Sequence, residues 1–410
     1  MKKQLMLTAG SLLLLAAGYV QADSGADSWD LVSKGRYIAQ LGDCTACHTQ
    51  PGHPLFSGGV IIDTPFGKLA GANITPDPET GIGKWTFDDF RDAMRKGHGR
   101  DGKLLYGAMP FTAYTKVTTD DTRALWAYLQ TVQPVSRAIE TNQLPFPFNI
   151  RASLRVWNML NFDEGEYRPD PAKSVEWNRG AYLVQGLGHC GTCHTPKNIL
   201  GGDKDAQFLK GGLPGVWYAP DITADTHTGI GQWTQQELVE YLKTGANKYD
   251  IASGPMAEAV ENSTQYWKED DLRAVAVYLK SLTPEKTPSP PAALAPDNAQ
   301  MVNGKAIYAD RCSACHVPRG EGVPHLFPQL AAAPLVNADD PTSLIHVVLA
   351  GSRASGTPAA PTAPAMPAFG WDLSDQNVAD VLTYIRNSWG NAAPAVTASD
   401  VKTLRKTLSQ

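Results

Sequence analysis

Every cysteine in this 410-residue chain belongs to one pattern, Cys-x-x-Cys-His, which occurs three times. Two thiols with two residues between them can add to the two vinyl groups of one haem, and the histidine that follows can bind the iron. The sequence therefore predicts three covalently attached haem c groups. The predicted attachment cysteines and iron-binding histidines are Cys44, Cys47 and His48, then Cys190, Cys193 and His194, then Cys312, Cys315 and His316.

Cysteine pairs at this spacing have three other interpretations. A structural zinc site needs two such pairs on one metal, and a thioredoxin-like redox pair has no obligatory histidine after it. A disulfide is the third interpretation, because the first residues of the chain, described next, resemble a leader that directs a protein to an oxidising compartment. Three copies with no cysteine left over favour haem over these alternatives.

Residues 1–22 have the features of a secretory signal peptide. Lys2 and Lys3 precede an apolar run that ends at Leu15, and residues 20–22 form a small-residue cleavage pattern. An uncleaved anchor helix is the alternative, but the apolar run is shorter than the ~20 residues that span a bilayer. We therefore expect the leader to be removed and the mature chain to work outside the cytoplasm.

The composition excludes some classes of function. The formal net charge is −5 and no basic run occurs, so nothing indicates nucleic-acid binding. Beyond the leader, no apolar stretch is long enough to span a bilayer, and we expect a mature chain that is soluble or attached to a membrane surface. The length suits two to four domains, and three haem motifs favour three.

One loop occurs twice, at residues 73–86 and 221–234, with nine of fourteen positions identical. The first two haem motifs are separated by nearly the same number of residues as these loops. Self-similarity at a fixed period indicates a repeated structural unit. The first two parts of the chain are therefore predicted to be duplicates.

Helical patterns flank each haem motif. A glycine and an aromatic residue precede it, and an amphipathic helix with an acidic start closes each part of the chain. This arrangement resembles class I cytochrome c domains, in which the first and last helices cross at the glycine. The resemblance implies an all-α chain of three tandem class I cytochrome c domains with long haem-enclosing loops. The residues concerned are Gly35 with Tyr37, Gly180 with Tyr182 and Gly304 with Tyr308, and the closing helices over 120–128, 270–278 and 374–384.

Turn-forming residues mark the predicted boundaries, most clearly in a proline-rich stretch near the third motif. The expected segments are a signal peptide over 1–22, cytochrome c domains over 23–165, 166–283 and 299–392, a proline-rich linker over 284–298 and a C-terminal tail over 393–410.

The resemblance also assigns the second axial ligands. In class I cytochrome c domains the other face of the iron usually binds a methionine next to a proline, which here implies Met109, Met256 and Met366, all expected in loops ahead of the closing helix. His98 is a rival ligand for the first iron, although a solvated loop histidine is the favoured interpretation, and Met94 is expected in the core. Full axial ligation leaves no open iron position, so electron transfer without bond chemistry is expected.

The duplicated loops carry Trp85 and Trp233, which are expected either to cover a haem edge or to serve structural packing alone. We weigh the two interpretations evenly. Asn73 and Asp221 open these loops and are expected to bond to haem propionates or to backbone groups.

Over essentially its whole length the chain resembles the three-haem cytochrome c subunits of bacterial membrane-bound dehydrogenases. That family includes the partners of flavin-dependent gluconate, sorbitol and fructose dehydrogenases and of pyrroloquinoline-quinone alcohol dehydrogenases. The third domain departs most from the pattern, because it lacks the Thr-Gly-Ile-Gly loop. The residues that carry the resemblance are the three haem motifs, 73–77 with 80–83, 107–111 and 144–148.

The resemblance implies an electron-transfer subunit, itself non-catalytic, on the periplasmic side of the inner membrane. A separate catalytic subunit with flavin or pyrroloquinoline quinone would oxidise a sugar, sugar acid or alcohol, and the electrons would leave to ubiquinone. No dinucleotide-binding fingerprint or nucleophile elbow occurs in the sequence, which agrees with substrate chemistry in another chain. The alternatives are a free periplasmic electron shuttle and a haem peroxidase, which would need an iron with an open position.

The apolar segment 144–162 is more hydrophobic than a plain linker. It is a candidate for contact with another subunit or a membrane surface, since an amphipathic helix can lie in the interface. A core-packed interdomain helix is the favoured alternative, because most such stripes are core.

Overall fold

The computed structural model describes residues 25–283 and 290–409. The predicted signal peptide and residues 284–289 of the predicted linker lie outside the described residues. The helices are α1 (Gly25–Leu41), α2 (Cys44–His48), α3 (Phe87–Lys96), α4 (Phe111–Tyr114), α5 (Thr119–Leu129), α6 (Leu154–Asn161), α7 (Val175–Tyr182), α8 (Gly191–His194), α9 (Gln235–Thr244), α10 (Pro255–Asn262), α11 (Glu269–Ser281), α12 (Ala299–Ile307), α13 (Ser313–His316), α14 (Pro334–Asn337), α15 (Thr342–Ala350), α16 (Asp375–Arg386) and α17 (Ala398–Leu408).

Short antiparallel strands accompany the helices, so the all-α prediction describes the framework but misses three small sheets. Strands of two to four residues are too short to show a period-two pattern in the sequence. The first sheet has the order β1-β2-β3, with Ile61 opposite Ala70, and the other two are the pairs β4-β5 and β6-β7. The strands are β1 (Ile61–Thr64), β2 (Gly67–Ala70), β3 (Asn142–Gln143), β4 (Lys210–Gly212), β5 (Ala219–Asp221), β6 (Ser352–Arg353) and β7 (Ala365–Met366).

Within the described residues, three pairs of helices cross at a glycine, as the resemblance to class I cytochrome c domains implies: α1 with α5, α7 with α11 and α12 with α16. The backbones approach so closely that no side chain fits between them. A Cβ atom on Gly35 would lie 1.9 Å from the carbonyl oxygen of Ala124, and one on Gly180 would lie 1.9 Å from that of Ala274. At Gly304 the corresponding distance, to the carbonyl oxygen of Asp380, is 2.1 Å. Each crossing therefore requires glycine.

The duplicated loops lead into helices with the same start. The hydroxyl of Thr86 accepts a hydrogen bond from the amide of Asp89, whose carboxylate accepts one from the amide of Thr86. Thr234 and Glu237 make the same reciprocal pair at α9. Such a capping box satisfies amides that the first helical turn leaves without partners, and it fixes where α3 and α9 begin.

Among the described residues, the buried apolar side chains form two cores. The first is continuous through the first two crossing pairs and contains Ile38, Leu125, Leu183 and Leu272. The second surrounds the third pair and includes Val401 of α17. The first two parts of the chain therefore share one core, while the third has its own.

A reciprocal exchange of two hydrogen bonds joins the two halves of the shared core. The hydroxyl of Tyr37 on α1 donates to the Asp271 carboxylate of α11 at 2.7 Å, and that of Tyr182 on α7 donates to Asp121 of α5 at 2.6 Å. Both carboxylates are 7% exposed. Since the residues are equivalent in the duplication, the two halves meet as a pseudo-twofold pair.

Each buried carboxylate of this exchange also has a cation. Arg179 Nε lies 2.7 Å from Asp271 Oδ1, and Lys34 Nζ lies 2.7 Å from Asp121 Oδ1. Burial by itself raises the pKa of Asp271, but its hydrogen bonds from Arg179 and Tyr37 outweigh burial and hold that pKa below its usual value. The carboxylate is therefore charged at neutral pH, and its bonds are charge-assisted.

The third part of the chain packs against the second through polar and aromatic contacts. The rings of Trp217 and His346 stack with centroids 3.9 Å apart, and His346 Nδ1 bonds to the carbonyl of Val216 at 3.0 Å. The Ser343 hydroxyl bonds to both backbone groups of Tyr218. These contacts fix the third crossing pair beside the shared core.

Candidate functional site

The three Cys-x-x-Cys-His motifs occupy equivalent places, each directly after the first helix of a crossing pair. The first motif forms the one-turn helix α2, and α8 and α13 carry the ends of the other two. A π-helical turn connects the second and third motifs to their helices, at Leu183–Leu187 and Tyr308–Cys312. Such turns are common at functional sites. Each motif therefore presents two thiols and an imidazole from one short turn.

All three motif histidines bond in the same way through one ring nitrogen. Nδ1 donates to a backbone carbonyl, which fixes the ring and leaves Nε2 as the free nitrogen with a lone pair. This is the orientation that a histidine ligand of a metal normally has. The bonds join His48 to Ala72 at 2.7 Å, His194 to Pro220 at 2.7 Å and His316 to Pro328 at 3.0 Å.

Burial keeps these imidazoles neutral. It lowers the pKa of His48, His194 and His316, and the hydrogen bonds to the carbonyls oppose it only in part. A neutral imidazole is the form that binds iron. The three side chains are therefore in the chemical state that haem ligation requires.

The cysteines are unpaired thiols rather than disulfides. Burial raises the pKa of Cys44 and Cys190 to about 12 and that of Cys47 and Cys312 to about 11. Thiol–disulfide exchange uses the thiolate, which these environments disfavour. Within residues 25–283 and 290–409, no three or more His, Cys, Asp and Glu side chains are grouped to hold a metal ion. The thiols thus fit covalently held haem better than a redox pair.

The first and second motifs adjoin each other across the shared core. Helix α10, from the second half, packs against α2. After burial, the charges of Asp43, Cys193 and Glu258 also raise the pKa of Cys47. Burial, and then the charge of Glu258, raises the pKa of Asp43 to about 8. The first two attachment sites therefore share one environment.

The predicted methionine ligands lie in three different settings. Met109 lies in the turn before α4, as expected, but Met256 is the second residue of α10 and Met366 lies in β7. The loop prediction is therefore wrong for two of them. Pro255 occupies the first position of α10, which places Met256 inside the helix. Met366 pairs with Ser352 in a sheet. All three side chains are partly buried. Their role as axial ligands stays a prediction.

Two other side chains lie where the sequence placed them. His98 is exposed, which agrees with a solvated loop histidine, and Met94 is buried in the shared core. The choice of Met109 over His98 as the iron ligand stays a prediction.

The side-chain amide of Asn73 makes hydrogen bonds to backbone groups of the protein. Its Nδ2 donates to the carbonyl of Val135 at 2.7 Å, and its Oδ1 accepts from the amide of Thr75 at 3.0 Å. Of the two predicted partners for Asn73, the backbone is therefore the observed one. Trp233 is buried in the shared core and Trp85 is partly buried against it.

The segment 144–162 divides its side chains between core and surface. In α6, Leu154 is buried and Trp157 is half-buried, while Val156, Met159 and Leu160 on the other face are exposed. The interpretation as a core-packed helix is correct for one face only. Among the described residues, no helix combines the length and apolar character needed to cross a bilayer.

The exchange between Tyr37 and Asp271 was not predicted, although the sequence held a signal for it. Both residues recur in the duplicated half as Tyr182 and Asp121. A polar residue that recurs at the helix crossings of both copies indicates that the two copies use it in the same contact. No comparable signal in the sequence indicates the stacking of Trp217.

The chain is similar in sequence to a cytochrome c family model and to cytochrome c subunits of dehydrogenases. A family model described as "Cytochrome c" matches residues 301–389. The cytochrome c subunit of gluconate 2-dehydrogenase from Pantoea cypripedii is 40% identical, over 99% of this chain and 95% of that protein. The cytochrome c subunit of the quinone alcohol dehydrogenase from Gluconacetobacter polyoxogenes is 40% identical, over 98% of this chain and 89% of that protein.

A shorter protein resembles part of the chain. A diheme cytochrome c-type protein of Cereibacter sphaeroides is 38% identical, over 67% of this chain and 97% of its own length.

Proposed function

The chain belongs to the family of cytochrome c subunits of dehydrogenases, and we propose that it is the three-haem electron-transfer subunit of a membrane-bound dehydrogenase complex. In this proposal it receives electrons from a catalytic subunit and passes them to ubiquinone. Three tandem class I cytochrome c domains, one for each crossing helix pair, would hold the three haem c groups.

The observation that carries the proposal is the repeated state of the motif histidines. Three neutral imidazoles, of which His316 is buried and His48 and His194 are half-buried, each donate Nδ1–H to a carbonyl and keep Nε2 free, beside two thiols on the same turn. When bound, each haem supplies an iron that changes its charge by one electron. The chain contributes the attachment thiols, the orientation of the imidazole and an apolar surrounding that limits access of water.

Axial ligation by Met109, Met256 and Met366 would complete each site. A thioether opposite an imidazole raises the reduction potential and leaves no position for oxygen or peroxide. The subunit would then be non-catalytic, and the peroxidase alternative would not apply.

The partner is proposed from the names of the relatives, which are subunits of a gluconate dehydrogenase and of a quinone alcohol dehydrogenase. We propose a separate catalytic chain, with flavin or pyrroloquinoline quinone, that oxidises a sugar, sugar acid or alcohol. The complex would lie on the periplasmic side of the bacterial inner membrane, and residues 1–22 would export the chain.

Haem counting tests the cofactor proposal. The exported chain should contain three haems, measured as pyridine haemochrome absorbance per mole of protein. As a matched control, the double variant Cys312→Ala/Cys315→Ala should contain two, because the third motif lies outside the shared core. Fewer than three haems in the unaltered chain would contradict the proposal.

Purification from membranes tests the partner proposal. A dehydrogenase subunit with bound flavin or pyrroloquinoline quinone should co-purify with the chain, and adding its substrate should reduce the haems and then a ubiquinone analogue. A free periplasmic shuttle, the second candidate, would instead purify alone from the soluble periplasmic fraction.

A further inference from the structure

One face of the molecule presents large apolar side chains to solvent. It combines the loop before α6, the outer side of α6 and a turn that follows the second haem motif. Phe146 is 78% exposed, Met159 76% and Ile199 93%. Exposed apolar patches of this kind mark sites of contact with proteins or membranes. We call the following set the apolar surface: Phe146, Phe148, Val156, Met159, Leu160 and Ile199.

Contacts below the apolar surface fix its three segments together. Trp157 Nε1 donates to the carbonyl of Leu200 at 2.7 Å, and Asn198 Nδ2 donates to Asn161 Oδ1 at 2.8 Å. Because these bonds join α6 to the turn at Leu200, the apolar side chains cannot fold inward without breaking them. The exposed state of the apolar surface is therefore built into the fold.

The loop before α6 is held in a similar way. The rings of Phe66 and Phe148 pack with centroids 5.2 Å apart, and the hydroxyl of Tyr106 donates to the carbonyl of Phe148 at 2.9 Å. Phe66 also lies against the backbone of Gly201. The hairpin between β1 and β2 thus connects the loop to the turn that carries Ile199.

Charge distinguishes this face from the rest of the chain. Residues 144–162 contain Arg151 and Arg155 and no acidic residue, in a chain of net charge −5. Arg155 is exposed on the outer side of α6. The acidic residues that follow α6 include Glu164, whose carboxylate lies 3.9 Å from Lys96. Within α6, one exposed cationic side chain, Arg155, therefore accompanies the apolar side chains.

We propose that the apolar surface rests on an anionic lipid bilayer, with α6 lying in the plane of the interface. An interfacial helix has an apolar side in the acyl boundary and basic side chains among the headgroups. Helix α6 has the apolar side and one exposed basic side chain, Arg155. The inference rests on the proposed function for its membrane location, and it assigns the residues that make the contact. Arg155 would face lipid phosphates while Met159 and Leu160 enter the apolar layer.

Lipid fits this face better than a protein partner does. A generally acidic protein is repelled by anionic headgroups, so an approach is favourable only where acidic residues are absent, which is the case along residues 144–162.

Vesicle binding of the mature, haem-loaded full chain tests the proposal. The chain should sediment with vesicles of phosphatidylglycerol and phosphatidylethanolamine, and much less with pure phosphatidylcholine. Met159→Ser and Ile199→Ser should each weaken binding about tenfold, the size expected for losing one large buried apolar side chain. Arg155→Gln should weaken binding to the anionic vesicles only, and most at low salt.

Matched controls use exposed apolar side chains elsewhere. Val175 is 89% exposed and Trp371 is 83% exposed, so Val175→Ser and Trp371→Ser test loss of surface hydrophobicity alone. Both should bind vesicles as the unaltered chain does. Haem content and the unfolding temperature of each variant establish that it folds, and Phe146→Ser provides a third test outside α6.

Two results would overturn the inference. One is unchanged vesicle binding in Met159→Ser, Ile199→Ser and Phe146→Ser. The other is normal vesicle binding combined with loss of the co-purifying catalytic subunit, which would assign the face to a protein partner. Failure of the proposed function would be seen separately, as a haem content below three in the unaltered chain.

Discussion

Replacing Gly180 with alanine tests how closely α7 and α11 cross. The new Cβ would lie 1.9 Å from the carbonyl oxygen of Ala274 and 2.9 Å from the Cβ of Tyr278. Because carbon and oxygen atoms need about 3.2 Å, the helices would have to separate by roughly 1 Å at the point of contact. Overpacking of this kind costs about 1–3 kcal/mol, and backbone atoms can yield less than side chains.

Gly186 gives a matched control in the same helical segment. A Cβ there would have ordinary contacts, at 3.4 Å from the Cβ of Lys116 and 3.9 Å from a methyl group of Val117. Alanine is favoured over glycine inside a helix by about 1 kcal/mol, so Gly186→Ala should be neutral or stabilising. The same gain acts in Gly180→Ala, but the clash with the backbone exceeds it. We therefore expect Gly180→Ala to lower the free energy of unfolding by about 2 kcal/mol.

The assay is thermal unfolding of the haem-loaded chain, followed by far-ultraviolet circular dichroism and by Soret absorbance. A loss of about 2 kcal/mol corresponds to a fall in Tm of roughly 4–8 °C for a unit of this size. Gly186→Ala should unfold at or above the Tm of the unaltered chain. Equal Tm values for Gly180→Ala and Gly186→Ala would refute the close crossing.

Three further predictions concern the exchange between the halves and the iron ligands. Tyr182→Phe removes a hydrogen bond to the buried carboxylate of Asp121 and should lower the free energy of urea unfolding by about 1.5–3 kcal/mol; no change would mean that the bond is not made. Since the pKa of Asp271 is lowered in the folded state, this carboxylate stabilises the folded chain fully above its unfolded pKa. That stabilisation is lost as the pH falls through the folded pKa. The urea midpoint should therefore fall in acid, and less steeply in Asp271→Asn; identical slopes would contradict this. Met109→Leu should keep three haems but open one iron to carbon monoxide, seen in the reduced spectrum, while Met94→Leu in the core should not; a closed iron in Met109→Leu would remove Met109 as ligand.

The helical framework could be predicted because it depends on local signals. Gly35 and Gly180 mark the crossings, since only glycine allows the backbones to meet, and they lie 9 and 10 residues before the first cysteine of a haem motif. Thr86 and Thr234 mark helix starts through capping boxes. Each signal is contained within a few residues, so the sequence displays it directly.

The features that were missed depend on contacts between distant segments. The pairing of Tyr37 with Asp271 requires knowing which surfaces of the two halves meet, and 234 residues separate them. The outward side of α6 could not be distinguished from its inward side, because Leu154 and Leu160 are chemically alike and only packing decides which is buried. The loop prediction for Met256 is wrong because proline suits both turns and the first position of a helix, and Pro255 occupies the first position of α10.

The reciprocal exchange has a consequence for how this chain changes over generations. Tyr37 and Asp271 descend from different copies of the duplicated unit, as do Tyr182 and Asp121. A replacement in one copy removes a partner from the other, so the copies could not diverge independently once they had joined. Lineages that altered one tyrosine should have altered the opposite carboxylate as well, and the third unit, which lies outside the exchange, should have been freer to drift.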